Sequence, residues 1–261
     1  MTQAKQLISA EPQFVKGWKE SVPCIHSTPC LNISEFFCDT IQGEGATAGC
    51  PASFMRLQGC TLNCSWCDTK AIRDYGNPYT FEELFTLMNE YNLIDKFRAG
   101  QHLVFTGGSP LLQQGMLTNF IEEFVTRYMF KPFIEVENEC TLHPNPDFEP
   151  LVDLWNNSPK LETSGNSIFD RYQPEIIHYL ANRYNSWFKF VISQKSDWEE
   201  IDEYFIRPQL IRRDQVILMP MGRTRKELKA HQMIAVTLAI QNNVRYSSRE
   251  QIVLWNDKTG V

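Results

Sequence analysis

The sequence is as informative for what is missing as for what is present. No apolar run approaches the length of a membrane span. There is no basic excess either. Lys and Arg total 25 against 31 Asp and Glu, a formal net charge of −6. A nucleic-acid footprint is therefore not expected. The start, MTQAKQLISAEPQF, lacks the charged-then-apolar order of a secretory signal and the Arg-rich character of a transit peptide. These absences set the expectation of a cytoplasmic protein with no membrane and no nucleic-acid partner. Histidine is sparse: His26, His102, His143, His178 and His231 stand alone, so no His-rich metal motif is readable. No internal repeat, low-complexity tract or convincing domain break is visible.

The chain has 261 residues, with 43% hydrophobic and 21% charged, which suits a soluble globular protein with a substantial core. Residues 1–30 mix Pro, Ser, Thr and Lys without a period and read as an N-terminal extension to a domain over 31–261. Short apolar or alternating runs at 53–59, 102–108, 133–137, 187–193 and 215–221 end in turn residues, which predicts strands, and 151–157 adds one more. Between them, 80–91, 113–129, 173–184, 197–206 and 224–241 carry apolar residues at helical spacing. Alternating strands and helices predict an α/β fold with a parallel sheet, either an open partial barrel or a doubly wound sheet. In both, ligands sit at the carboxyl ends of strands, where LQGC, FTGGSP, EVENE, NNSPK and LMPMG fall.

Eight cysteines are present, and three of them, Cys60, Cys64 and Cys67, lie within CTLNCSWCD. The other five are scattered and read as small packing residues; a local Cys24–Cys30 bridge is disfavoured. A structural zinc site needs a fourth ligand, and none stands nearby. A redox pair of Cys64 and Cys67 leaves Cys60 without a role. A cubane iron–sulfur cluster normally takes four thiolates, so three cysteines leave one iron open to bind a small molecule. The spacing favours this last reading, with zinc and coincidence as its competitors.

CxxxCxxC with an aromatic residue before the last cysteine resembles the cluster loop of the radical S-adenosylmethionine superfamily. FTGGSP at 105–110 is similar to that superfamily's GGEP motif. The flanks are more specific. TIQGEG (40–45), RLQGC (56–60), WCDT (66–69), TGGSPLLQ (106–113), NNSPK (156–160) and LMPMG (218–222) together resemble the 7-carboxy-7-deazaguanine synthase (QueE) family over roughly residues 31 to 261. The resemblance implies a modified partial (β/α) barrel with about six parallel strands, in a homodimer. It implies ring contraction of 6-carboxy-5,6,7,8-tetrahydropterin, a small-molecule pterin substrate, to 7-carboxy-7-deazaguanine with loss of ammonia, in queuosine-type deazapurine biosynthesis. It also implies a [4Fe-4S] cluster, S-adenosyl-L-methionine, Mg2+ and an external electron donor such as a flavodoxin.

Carried over residue by residue, the family pattern places the cluster on Cys60, Cys64 and Cys67, and magnesium on Thr69. Substrate contacts fall on Ile41, Gln42, Gly43, Glu44, Arg56, Thr106 and the terminal carboxylate of Val261. Cofactor contacts fall on Trp66, Cys67, Asp68, Gly108, Ser158, Pro159, Lys160, Met219, Pro220, Met221 and Gly222. No protein side chain is expected to act as the catalytic group, since hydrogen abstraction belongs to the cofactor-derived radical. Outside that pattern these residues have plainer readings: Thr69 as a helix cap, Gln42 and Glu44 as solvated loop residues, Arg56 as a structural ion pair, the methionines as core filler.

The sequence departs from the family in three places. GGEP is GGSP, so Ser109 replaces a glutamate; ETNGT is ENECT, with Glu139 and Cys140 in place of Asn and Gly; and Arg-Leu-His near the end is Arg249-Glu250-Gln251. The contact at the first of these is mainly through backbone, so the site is expected to survive with altered surrounding hydrogen bonds. Two alternatives remain at this level: an activase of a glycyl-radical partner protein, and an iron–sulfur or zinc binding homologue without catalysis.

Overall fold

A computed structural model describes residues 4–9, 15–16, 29–258 and 260. The strands are β1 (Lys5–Ile8), β2 (Val15–Lys16), β3 (Cys30–Ile41), β4 (Pro51–Leu57), β5 (Tyr75–Thr80), β6 (His102–Gly107), β7 (Phe133–Asn138), β8 (Leu154–Asn157), β9 (Ser186–Ile192), β10 (Val216–Pro220) and β11 (Arg245–Tyr246). The helices are α1 (Phe81–Glu90), α2 (Leu93–Arg98), α3 (Gln114–Tyr128), α4 (Ile168–Arg171), α5 (Pro174–Ala181), α6 (Lys195–Ile201), α7 (Arg225–Asn242) and α8 (Glu250–Trp255).

All strands join one sheet in the open order β11-β10-β9-β8-β7-β6-β4-β3-β5-β2, with β1 also on β3. From β4 through β6, β7, β8, β9, β10 and the two-residue β11, neighbours are parallel. The expected run of about six parallel strands is this one, and its open path makes a partial barrel. On the other side of β4, β3 and β5 are antiparallel. Parallel strands covered on both faces read as continuous apolar runs, and β10 is buried at every position. The helices cover the outer face. Phe81, Leu84, Phe85 and Met88 of α1 and Leu117, Phe120, Ile121 and Phe124 of α3 recur at the spacing of one helix face. Phe85 stacks on Phe120 at 5.2 Å between centroids, and Phe120 meets Phe105 of β6 edge-on.

Twelve-residue β3 carries no clear apolar period, because it interleaves Asn32, Ser34, Glu35 and Thr40 with its hydrophobic residues, all of them buried. The polar groups are satisfied across the sheet: the Ser34 hydroxyl donates to the Tyr75 carbonyl, and Glu35 accepts from Arg56 at 2.8 Å. The helix expected over 197–206 is α6 followed by a π-helical turn at Asp202–Ile206, which shifts the later side chains out of register. Within the expected extension, β1 pairs with β3 and β2 with β5, so the described parts of 1–30 belong to the sheet. Cys30 is disulfide-bonded, unlike the packing thiol expected there; Cys24 lies outside the described residues. Among the described residues no helix is long and apolar enough to cross a membrane.

Candidate active site

A cavity of about 230 Å³ opens at the carboxyl ends of the parallel strands. Each strand delivers residues to it. The segment after β4 supplies Cys60, the end of β6 supplies Thr106 to Gly108, β7 supplies Glu137 and Asn138, and the segment after β8 supplies Ser158 and Lys160. Lys189 and Val191 of β9 and Met219 of β10 complete the floor, while Phe37 and Phe54, stacked 5.1 Å apart, form an aromatic wall.

The cysteine loop is pinned at several points. Gly59 donates to the Arg73 carbonyl at 2.8 Å and accepts from Ser109 N–H at 3.0 Å, closing the base of the loop against the turn after β6. Ser65 N–H donates to the Ser164 carbonyl, and Asn63 N–H to Asn166 Oδ1. Asn166 Nδ2 also donates to Cys64 Sγ at 3.2 Å, a bond that suits a thiolate. At Gly108 an added Cβ would lie 2.2 Å from Cys60 Cβ and 2.3 Å from the Gly59 oxygen, so only glycine lets the two segments approach this closely.

Cys60, Cys64 and Cys67 are unbridged thiols on one cavity wall. Burial, then the Glu139 carboxylate, push the Cys60 thiol up to about 11. The Arg73 guanidinium answers the three sulfurs. Burial alone would lower its pKa, but Cys60 and Cys67 raise it. Among the described residues no three or more His, Cys, Asp or Glu side chains converge on a point where a single ion would sit. Trp66 Nε1 and Gln251 Oε1 belong to residues lining the cavity and are buried without a hydrogen-bond partner, as expected where a ligand supplies the partner. The donor set and these bare atoms fit a cluster with a polar organic cofactor beside it.

A buried chain of charges lines the same cavity. Lys189, with a side chain only 3% exposed, reaches Glu44 Oε2 at 2.8 Å and also pairs with Glu137. Arg249 donates to Glu44 Oε1 at 2.8 Å, to Asp68 and to the Gly222 carbonyl. Burial would raise the Glu44 pKa, yet Lys189 and Arg249 hold it well below the usual carboxylate range. The Asp68 carboxyl is lowered for the same reason, burial being outweighed by Arg249. Glu137 goes the other way, raised by burial and by Glu44 and Glu135 nearby. Burial would lower the Lys189 pKa, but its two carboxylates raise it.

Ile41, Gln42, Gly43, Glu44, Arg56 and Thr106 all line this cavity, as do Trp66, Cys67, Asp68, Thr69, Gly108, Ser158, Lys160 and Met219. Pro159, Pro220, Met221 and Gly222 are not among the lining residues. Successive residues of a strand face opposite ways, so Met219 faces the cavity while Pro220 points away. Met221 N–H is bonded to the Ile192 carbonyl, and Gly222 is packed so closely on Leu228 N, 2.5 Å from an ideal Cβ, that it serves the backbone. Val261 lies outside the described residues. Gln42 is consumed in shaping its loop: its Nε2 donates to Glu135 at 2.6 Å and Glu137 at 3.0 Å, and its Oε1 accepts from Glu44 N–H. Lys189, Glu137 and Arg73 went unread in the sequence. For Lys189 a signal existed, a charge in the middle of the apolar strand WFKFVIS, the same signal that marks Arg56, while Glu137 only closes the run FIEVE.

The model of a 4Fe-4S single cluster domain matches residues 41–138. The 7-carboxy-7-deazaguanine synthase of Pyrobaculum aerophilum is 31% identical over 236 residues, covering 90% of this chain and 99% of that protein. The synthase of the same name from Halobacterium salinarum is 31% identical, covering 88% of this chain and 92% of its own. Among solved structures, the crystal structure of QueE from Escherichia coli superposes with a TM-score of 0.60 at 23% identity, over 85% of this chain and 94% of that one. That likeness establishes the shared partial-barrel fold.

Proposed function

Because the chain belongs to the 7-carboxy-7-deazaguanine synthase family, we propose that it converts 6-carboxy-5,6,7,8-tetrahydropterin to 7-carboxy-7-deazaguanine with loss of ammonia. It is a radical S-adenosylmethionine lyase of queuosine-type deazapurine biosynthesis. The observation that carries this reading is the meeting, in one cavity, of three unbridged cysteines with Arg56 and the Glu44–Lys189–Glu137 chain. When bound, a [4Fe-4S] cluster on Cys60, Cys64 and Cys67 and S-adenosylmethionine supply the electron and the hydrogen-abstracting radical.

The chain's own residues bind, orient and exclude water. Arg56 is held through its Nε by Glu35, itself bonded to Gln6 Nε2 at 3.2 Å, and its planar fork suits the substrate carboxylate. Gly43 backbone, Glu44 and Thr106 face the polar edge of the pterin. Glu137, held by Lys189, lines the same space. Phe37 and Phe54 offer an apolar face for the ring. Trp66, Asp68, Ser158 and Lys160 surround the cofactor; the Lys160 ammonium lies 5.8 Å from the centre of the Trp66 ring and donates to the Ser158 carbonyl and hydroxyl. The Thr69 hydroxyl, 3.6 Å from Cys67 Sγ, is offered as a hard oxygen ligand for magnesium. The same family reading carries a homodimer, a flavodoxin-like electron donor, a cytoplasmic setting, and a catalytic domain over 31–261 preceded by an extension.

Anaerobic reconstitution tests the proposal. A brown protein with about four irons per chain that cleaves S-adenosylmethionine only with the carboxytetrahydropterin is expected. Stable zinc content with no cofactor cleavage would contradict it. Magnesium is expected to stimulate turnover, and Thr69→Val to remove that stimulation while iron content is kept.

A further inference from the structure

Beside the cysteines stands a carboxylate that the folded chain leaves half used. Glu139, just past β7, is 4% exposed and lines the cavity. Its Oε1 accepts from the Thr61 hydroxyl at 3.2 Å and from the Thr141 hydroxyl at 2.6 Å. Its Oε2 is buried with no hydrogen-bond partner among the described residues. A buried carboxylate oxygen without a donor is strongly disfavoured unless something else supplies one. Glu139 lines the cavity, so a ligand bound there can supply the missing N–H group.

The same threonine ties Glu139 to a second position. Thr61 Oγ1 lies 3.1 Å from Ser109 Oγ, and Thr61 N–H donates to that oxygen at 3.0 Å. Ser109 is wholly buried and has lost the acid of the GGEP pattern, while position 139 has gained one where the pattern has asparagine. The two departures therefore sit in one hydrogen-bonded group.

We propose that Glu139 receives the N–H groups of the amino group of S-adenosylmethionine, and that Ser109, Thr61 and Thr141 hold its carboxylate in place. The proposal deepens, and rests on, the cofactor reading above. Glu139 thereby supplies, from its side chain, a carboxylate that the turn at 107–109 lacks.

The test uses wild-type, Glu139→Gln, Glu139→Asn and the exchanged double variant S109E/E139N, all reconstituted and matched for iron. Each is titrated with S-adenosylmethionine and with its deaminated analogue, and the electron paramagnetic resonance spectrum of the reduced cluster is followed. Binding of the parent cofactor is expected to weaken about tenfold in Glu139→Gln and more in Glu139→Asn. The preference for parent over deaminated analogue is expected to shrink by a similar factor, a coupling that mere disturbance of the loop would not produce. The exchanged variant is expected to regain most of the loss. Single variants that keep a full cluster and bind within about twofold of wild-type, or that weaken parent and analogue equally, would overturn the proposal. If Glu139→Gln takes up no cluster, Glu139→Asn, which carries the family's own residue, decides. A wild-type cluster whose spectrum ignores S-adenosylmethionine would instead refute the cofactor reading, and the proposal with it.

Discussion

At the scale of single residues, the most consequential side chain is Lys189, one cation buried between Glu44 and Glu137. Removing one partner of a buried ion pair leaves charge uncompensated, at a cost of about 3–5 kcal/mol. Lys189→Met is expected to lose about that much stability in urea unfolding of the cluster-free protein. A loss below about 1 kcal/mol would mean that the three groups are not coupled. Glu44 gives the pH signature. Its folded pKa is depressed, so its contribution is fully present above the unfolded value of about 4.3 and is lost as pH falls further. The unfolding free energy is expected to decline below about pH 5, and Glu44→Gln to flatten that decline; an unchanged slope would contradict the pairing with Lys189 and Arg249. Glu137 has the opposite sign, since its raised pKa favours the folded state only while it keeps its proton. These roles were half legible. Arg56 stood out as a charge in an apolar run, while Arg249 matched the pattern without being given a role and Gln251 looked only like a departure from it. In the fold they close on Glu44, Gln251 Nε2 at 2.6 Å, a partnership across about 200 residues of chain that no local spacing encodes.

At the scale of elements, local chemistry explains what was readable. Thr80 caps α1 and Glu83 reaches back to Thr80 N–H at 2.7 Å, the reciprocal pair that a Thr-x-x-Glu start announces. Thr80→Ala is expected to cost about 1 kcal/mol in chemical unfolding and to leave turnover unchanged. The turn after β6 belongs to the site. Gly108→Ala would drive a methyl into Cys60 and Gly59, so the variant is expected to keep its far-ultraviolet circular dichroism but to bind less than about half the wild-type iron. A fully loaded Gly108→Ala protein would show that the two segments are not packed as described. The elements that escaped the sequence reading did so for physical reasons. Long β3 hides its burial behind polar residues whose partners lie on β4 and β5, and α2 begins at Asn92 in the left-handed conformation without a side-chain cap. Short β11 is held by pairing with β10.

At the scale of the whole molecule, the alternation of strands and helices led to the parallel half of the sheet and to the end of it where the cavity lies. The antiparallel β1, β2, β3 and β5 were not foreseen, because they follow no crossover pattern and in part come from a segment that looked irregular. The cysteine loop was legible because its three ligands are close in sequence. The charge chain was legible only at Glu44, because Glu137, Lys189 and Arg249 come from distant segments that only the fold brings to it. This assembled cavity is proposed to perform the ring contraction. Anaerobic incubation of the reconstituted, reduced protein with S-adenosylmethionine and 6-carboxy-5,6,7,8-tetrahydropterin, read by mass spectrometry, tests it most directly. Formation of 7-carboxy-7-deazaguanine together with released ammonia is expected; cofactor cleavage with the pterin recovered unchanged would contradict the account.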